Sequence, residues 1–370
     1  MPSLELTDEQ VLQLVTQLPA ERRRAALVAL AEDAVRGREQ RMERAEARLR
    51  QVCAERGLDW IGAVLVLSGL AGVAYGLIAS PIAGWRDPLV LAALTGGLAL
   101  LVAFIYAEHR ARAPMLPLRL FTSRTFSAVN LLTLLLYAAL AGVFFFLPFA
   151  LIQVHGYAAT LAGAAFLPFT IIMALLSRPS GGLLDRFGPR LPLVIGPAIA
   201  ALGIGLLAMT VEGGTYWQFL ACIAVLGFGM VIAVAPLTTT VLNAVPAHET
   251  GVASGINNAV ASVANLLAVA ILGAVAVSFL DHALAQHLQS GVLSDGVKHA
   301  IEAARGQLVI EPTLATVQGA DRAVAELILK GTLAESIRSV MLITAFVALG
   351  GAIAGSLIPR PATGSRQPNR

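Results

Sequence analysis

Charge is scarce in this 370-residue chain: only 13% of its residues are Asp, Glu, Lys or Arg, against about a quarter in soluble globular domains. An ordinary water-soluble globule is excluded on that count alone. Cysteine is nearly absent. Cys53 and Cys222 are the only two, one in a polar segment and one inside an apolar run, which excludes a disulfide framework and a thiolate metal site. The patterns of common catalytic chemistry are missing too: there is no H-E-x-x-H, no G-x-S-x-G, no P-loop and no G-x-G-x-x-G after a strand. No catalytic residue, metal or cofactor is therefore implied. His248 and Glu249 sit side by side without a metal-ligand partner, and read as a solvated loop. Nor is there an apolar leader: the first apolar run begins at Trp60, behind a long charged segment, so no cleavable signal peptide is expected.

What the chain does have is oil. Hydrophobic residues make up 57% of it, and the mean hydropathy is +0.76. A bilayer core needs about 20 consecutive apolar residues per helix, and eight windows meet that demand: 60–80, 88–106, 126–154, 161–176, 191–209, 216–242, 256–280 and 340–358. The fourth is short and is expected to run on through Pro179. The fold class that follows is an all-α polytopic membrane protein with eight transmembrane helices and the lipid bilayer as its solvent. Pro148, Pro168, Pro197 and Pro236 fall inside spans, where neighbouring helices can absorb a kink. Gly251, Gly255 and Ala259 form a small-residue stripe that permits close helix contact.

Residues 1–57 have another character. Thr7 and Gln10 have capping-box spacing and open a short helix that stops at Pro19; a second helix then runs to Gly57. Ten arginines and eleven acids lie within 1–59, with Glu32 and Arg36, and Glu46 and Arg50, at i,i+4 spacing. This reads as a solvated amphipathic helix packed on its short neighbour. A coiled-coil seam through Met42, Ala45, Leu49 and Val52 is the alternative.

The net charge of +3 and the pI near 9.1 do not describe a nucleic-acid-binding face, because the arginines gather at span ends and in one mixed-charge helix. They report topology. With the N-terminus cytoplasmic, the inside segments 1–59, 107–124, 177–190 and 359–370 hold twenty of the twenty-six Arg and Lys residues. Five of the six outside lie in one long loop, 281–339, which also carries seven acids and the amphipathic stretches 297–304 and 323–329. Both termini are expected in the cytoplasm of a cell whose inner membrane holds the protein.

The polar stretch from Arg178 to Arg190 joins two apolar runs. Gly181 and Gly182 allow backbones to cross closely, Gly188 and Pro189 make the reversal, and Asp185 can cap or charge-pair the next helix start. Arg186 and Arg190 supply a cytoplasmic signature. The spelling G-x-x-x-D-R-x-G-x-R resembles the short cytoplasmic-loop motif of the major facilitator superfamily. The resemblance extends from Leu58 to the C-terminus: Gly84-Trp85-Arg86-Asp87-Pro88, Pro117-Leu118-Arg119-Leu120-Phe121, Gly156-Tyr157, Leu167-Pro168, Gly227-Phe228-Gly229-Met230, Ala235-Pro236-Leu237 and Gly251-Val252-Ala253-Ser254-Gly255-Ile256-Asn257-Asn258. In that order they are similar to the second half of the fourteen-spanner drug:proton antiporters of that superfamily.

The resemblance implies two linker spans in 58–110 and a C-terminal six-helix bundle in 111–370; composition and charge add a cytoplasmic helical segment 1–57 and make 281–339 the bundle's extracytoplasmic loop. It implies export of hydrophobic small molecules by proton antiport, with substrate bound near the midplane between two bundles. Polar or aromatic residues inside spans are then candidates to line the cavity: Asn130, Tyr137, Gln153, Thr238, Asn257, Asn258 and Asn265. An interhelical hydrogen bond is an equal alternative for each. Phe144, Phe145 and Phe146 are pocket-lining, lipid-facing or core. The chain departs from the family at Ser262 and Asn265, where an arginine and a glycine are common. No counterpart of the first six spans is seen, so the expected partner is a separate N-terminal six-helix half or a homodimer mate, with no nucleic acid. A transport-inactive remnant and a membrane-anchored interaction module acting through residues 1–57 are the alternatives.

Overall fold

A computed structural model of the chain describes residues 59–111, 116–289 and 293–359. The two helices expected within 1–57 lie outside the described residues. The chain divides into two units at Asp59 and Trp60, and the architecture below is that of the second.

Eight helical stretches are long and apolar enough to cross a membrane, each overlapping one expected window. They are α1 (Trp60–Ala83), α2 (Pro88–Arg110), α3 (Arg124–Phe149), the pair α4 (Ala159–Ala164) and α5 (Leu167–Phe187), α6 (Arg190–Thr210), α7 (Tyr216–Asn243), α8 (Thr250–Gln289) and α11 (Ala320–Ser356). Helix is the form available to such sequences, because it satisfies every backbone N–H and C=O within the segment where no water can.

The ends are encoded locally. Gly84 takes φ +94° in the turn after α1, Asp87 accepts hydrogen bonds from Leu89 N at 2.8 Å and Val90 N at 3.2 Å, and Pro88 stands where a missing N–H costs nothing. The Gly-Trp-Arg-Asp-Pro landmark is thus a turn and a helix cap. Thr215 and Gln218 form a capping box at the start of α7. After Pro148 the ladder of α3 loosens into a π turn over Ala150–Val154, with His155 N donating to Ala150 O at 3.1 Å. The fourth span breaks at Ala165 and Phe166, just ahead of Pro168. It then continues through Pro179 to Phe187, so the reversal itself is only Gly188 and Pro189, with Gly188 at φ +71°.

Glycines decide which helices touch backbone to backbone. A Cβ on Gly196 of α6 would lie 2.8 Å from Ala233 N of α7, and one on Gly203 would lie 2.7 Å from Leu226 N. Gly229 of α7 meets Ala200 of α6 even more closely, as Gly355 of α11 meets Leu193 of α6. α1 and α2 make a hairpin of the same kind, Gly97 facing Val73 N at 2.7 Å. The expected stripe Gly251, Gly255 and Ala259 behaves differently: all three are exposed, and a Cβ on either glycine would meet nothing within 4 Å. Gly182 is also open, so close helix crossing is not what that glycine supplies.

Helix extends well beyond the apolar windows at the far end of the bundle. α8 runs on to Gln289, α11 begins at Ala320, and between them lie α9 (Asp295–Ala304) and α10 (Glu311–Thr316). Within α9, Val297, Ala300, Ile301 and Ala304 are buried at i, i+3, i+4 and i+7, the spacing of a one-sided apolar face. Ion pairs link Lys330 to Glu326 at 2.7 Å and Arg338 of α11 to Glu212, between α6 and α7, at 2.7 Å.

Candidate functional site

The polar groups inside the spans separate into two sets. The first is internal. Asn257 of α8 donates from Nδ2 to Asn130 Oδ1 at 3.2 Å and to Thr133 Oγ1 at 2.7 Å, both on α3. Asn130 and Thr133 are buried, and each also bonds its own helix, through Phe126 O and Val129 O. This trio ties two helices together at a point where an unpaired amide would be costly. Thr133 was not singled out from sequence; it lies at i+3 from Asn130, the spacing that would have placed it on the same face.

The second set is an open face of α8. Asn258, Ser262 and Asn265, at i, i+4 and i+7, are all exposed. Ser262 returns its hydroxyl to Asn258 O at 3.0 Å, whereas the carboxamides of Asn258 and Asn265 make no hydrogen bond to another described residue. On α7, Thr238 and Thr239 are exposed as well, with hydroxyls bonded to Val234 O and Ala235 O at 3.1 Å each. A threonine can thus satisfy itself against its own helix; an asparagine at these positions has not done so.

The remaining candidates are placed individually. Tyr137 is half-buried in α3. Gln153, at the end of that span, accepts from Ile310 N at 3.3 Å and so holds the segment leading into α10. Phe146 is fully buried in the core, Phe144 packs edge-to-face on Phe166 and Phe169, and Phe145 lines an apolar cavity together with Phe149. The backbone of Asp185 lies in the last turn of α5 with exposed Arg186 after it, and Arg190 opens α6.

Two charged features escaped the sequence reading. Glu249 is not a solvated loop residue: it is buried, with its carboxylate paired to the exposed Arg119 guanidinium and 3.6 Å from His248 Nε2. The pair joins the 3₁₀ turn Leu118–Thr122 before α3 to the turn Ala247–Glu249 before α8. Its partners are 130 residues apart, which is why neither motif announced it. Glu108, in the last turn of α2, is also buried and accepts from Leu116 N at 3.2 Å. Among the described residues no three His, Cys, Asp or Glu side chains gather as metal ligands.

Comparison with known proteins agrees with this layout. A crystal structure of a bacterial homologue of the human lysosomal transporter Spinster, inward-facing and unoccupied, superposes with a TM-score of 0.52 at 18% identity, covering 80% of this chain and 66% of that one; this likeness is one of fold. The puromycin resistance protein of Streptomyces alboniger is 32% identical over 270 residues, 70% of this chain and 53% of that protein. The multidrug resistance protein Stp of Mycobacterium tuberculosis is 28% identical over 251 residues, 67% of this chain and 47% of that protein. The tetracenomycin C resistance and export protein of Streptomyces glaucescens is 31% identical over 225 residues, 60% and 41%. The chain thus spans about half the length of the curated relatives it matches. The sequence profile of the Major Facilitator Superfamily matches residues 55–269, which takes in the α1–α2 hairpin and the bundle through the open asparagine face of α8: the chain belongs to the Major Facilitator Superfamily.

Proposed function

We propose that this chain forms one wall of a drug-export pathway, carrying hydrophobic small molecules out of the cell by proton antiport together with a second six-helix bundle. The observation that carries the reading is the open face of α8. Among the described residues the carboxamides of Asn258 and Asn265 find no hydrogen-bond partner, on a membrane-crossing helix where hydrocarbon would cost several kcal/mol for each unsatisfied polar group. Water or a polar partner surface removes that cost, so the face belongs on a cavity rather than against lipid. The kinship with resistance proteins supports the substrate class, and the chemistry is transport rather than catalysis. The second bundle is a separate polypeptide carrying the other six spans, or a second copy of this chain.

The test is accessibility. In a chain with Cys53 and Cys222 replaced, single cysteines at 258 and 265 should react with a hydrophilic maleimide in native membranes, while one at 202, an exposed leucine of α6, should not. Equal silence at all three positions would mean that lipid covers the face, and the cavity reading would fall.

Orientation follows from the arginine distribution, with both termini and Arg186 cytoplasmic and Lys298 outside. An impermeant thiol reagent applied to intact inner-membrane vesicles of native sidedness, or to spheroplasts, should label a cysteine at 298 and spare one at 186. The reverse pattern would invert the topology.

Gly181, Asp185, Arg186, Gly188 and Arg190 act in this reading as a latch between α5 and α6, with Asp185 and the neighbouring arginines as opposite charges at the turn. With the charge pairing lost, Asp185→Asn is expected to lower the thermal midpoint in detergent by up to a few degrees, equivalent to at most about 1 kcal/mol, without preventing insertion. No shift beside a clear loss in Gly229→Leu would reduce the loop to a topological stop.

A further inference from the structure

One turn beyond Asn265 along α8, beginning at Val269, α1, α3 and α8 line a half-open cavity of about 380 Å³, within the range of about 300–1,000 Å³ typical of small-molecule sites. Ile78 and Ile82 of α1 stand on one side, Phe145 and Phe149 of α3 on another, and Gly273 of α8 on the third. Leu308 and Val309 roof it. That roof is a pinned strut. At one end Gly306, at φ +76°, donates its N–H to Asp281 Oδ1 of α8 at 2.8 Å; at the other, Ile310 N donates to Gln153 Oε1 beyond α3 at 3.3 Å. The two polar anchors sit outside the cavity, and no polar or charged side chain lines it.

We infer that this cavity holds a single acyl chain of a membrane lipid, clamped between the linker hairpin and the bundle. Its walls offer nothing to orient a cation or a polar ring, and an apolar void stays dry and takes apolar guests. The guest at hand is set by location. Ile78 and Ile82 are 61% and 79% exposed on a membrane-crossing helix, so the side of α1 from which the cavity is entered faces hydrocarbon. A lipid there would couple α1 to α8 and the roof, stiffening the contact between hairpin and bundle. The inference is independent of what the chain transports.

The full chain in nanodiscs, irradiated with a phospholipid bearing a diazirine in its acyl chain, tests it by peptide mapping. Adducts should concentrate on 78–82, 269–277 and 306–309. A Cβ on Gly273 would meet nothing within 4 Å, so Gly273→Leu fills the void, and adducts at 306–309 should fall about tenfold. Gly205→Leu, equally open but on α6, should change nothing. Adducts spread over all exposed span surfaces in wild type would overturn the site, whether or not the Gly273 variant folds. Displacement of the adducts by a hydrophobic cation such as ethidium, but not by unlabelled phospholipid, would overturn the lipid as its occupant.

Discussion

Gly229→Leu is expected to remove most of the folded protein from detergent extracts, with a loss on the order of 3 kcal/mol and a fall of about 6–12 °C in the thermal midpoint of what remains. The reason is the crossing of α6 and α7. Gly229 sits against the backbone of Ala200, and Gly196, one turn further along α6, faces Ala233 N at 2.8 Å. An added side chain meets main-chain atoms, which cannot swing aside as the end of a flexible side chain can, so the two helices must separate along their length. The same two helices carry much of the core, including Leu193, Ile204, Phe219 and Ile223; separating them uncovers it. Lipid gives no hydrophobic push to bring them back, since close packing is what holds membrane helices together. Gly205→Leu and Gly255→Leu, both pointing into open space, are expected to stay within about 0.5 kcal/mol of wild type. Heating detergent-solubilised variants and following the monodisperse fraction would settle it; a Gly229→Leu curve overlying that of Gly205→Leu would show that the crossing is not as tight as described.

In liposomes with an imposed pH gradient, the purified 370-residue chain alone is expected to move a lipophilic cation dye no faster than empty liposomes do. Proton coupling calls for an ionisable group held inside the bilayer, and the eight apolar windows contain no Asp, Glu, Lys, Arg or His. The buried Glu108 does not supply one: it lies in the last turn of α2, bonded to Leu116 N near the Arg119 turn. In the proposed pathway the asparagine face of α8 is one wall, and alternating access needs a second body to rock against. Co-reconstitution with a polypeptide carrying the other six spans and a membrane carboxylate is the condition under which flux should rise. Saturable, gradient-dependent dye movement by the chain alone would refute the argument.

Much of this architecture was legible in one dimension, and the reason is length and solvent. A run of about 20 apolar residues has one stable fate in a bilayer, so the eight spans could be read directly. Local turn chemistry was plain at Gly188 and Pro189, which make a reversal; Gly84, Asp87 and Pro88, quoted only as a family landmark, proved to be a turn and a helix cap. The spacing of Val297, Ala300, Ile301 and Ala304 announced an amphipathic helix.

Partnership was not legible, because it depends on which face of each helix meets which neighbour. Gly229 and Gly255 are the same letter in apolar runs, yet one touches a neighbouring backbone and the other nothing. Asn257 and Asn258 are adjacent, and the 100° turn between successive helical residues sends the first to Asn130 and Thr133 and the second to an open face. Arg119 and Glu249 looked like unrelated loop charges until the fold brought two turns together. Composition and period determined that this chain crosses a membrane as helices and how many times. Only the packing decided which polar groups are sealed inside the bundle and which are left exposed, because burial belongs to a pair of surfaces and a sequence specifies them one at a time.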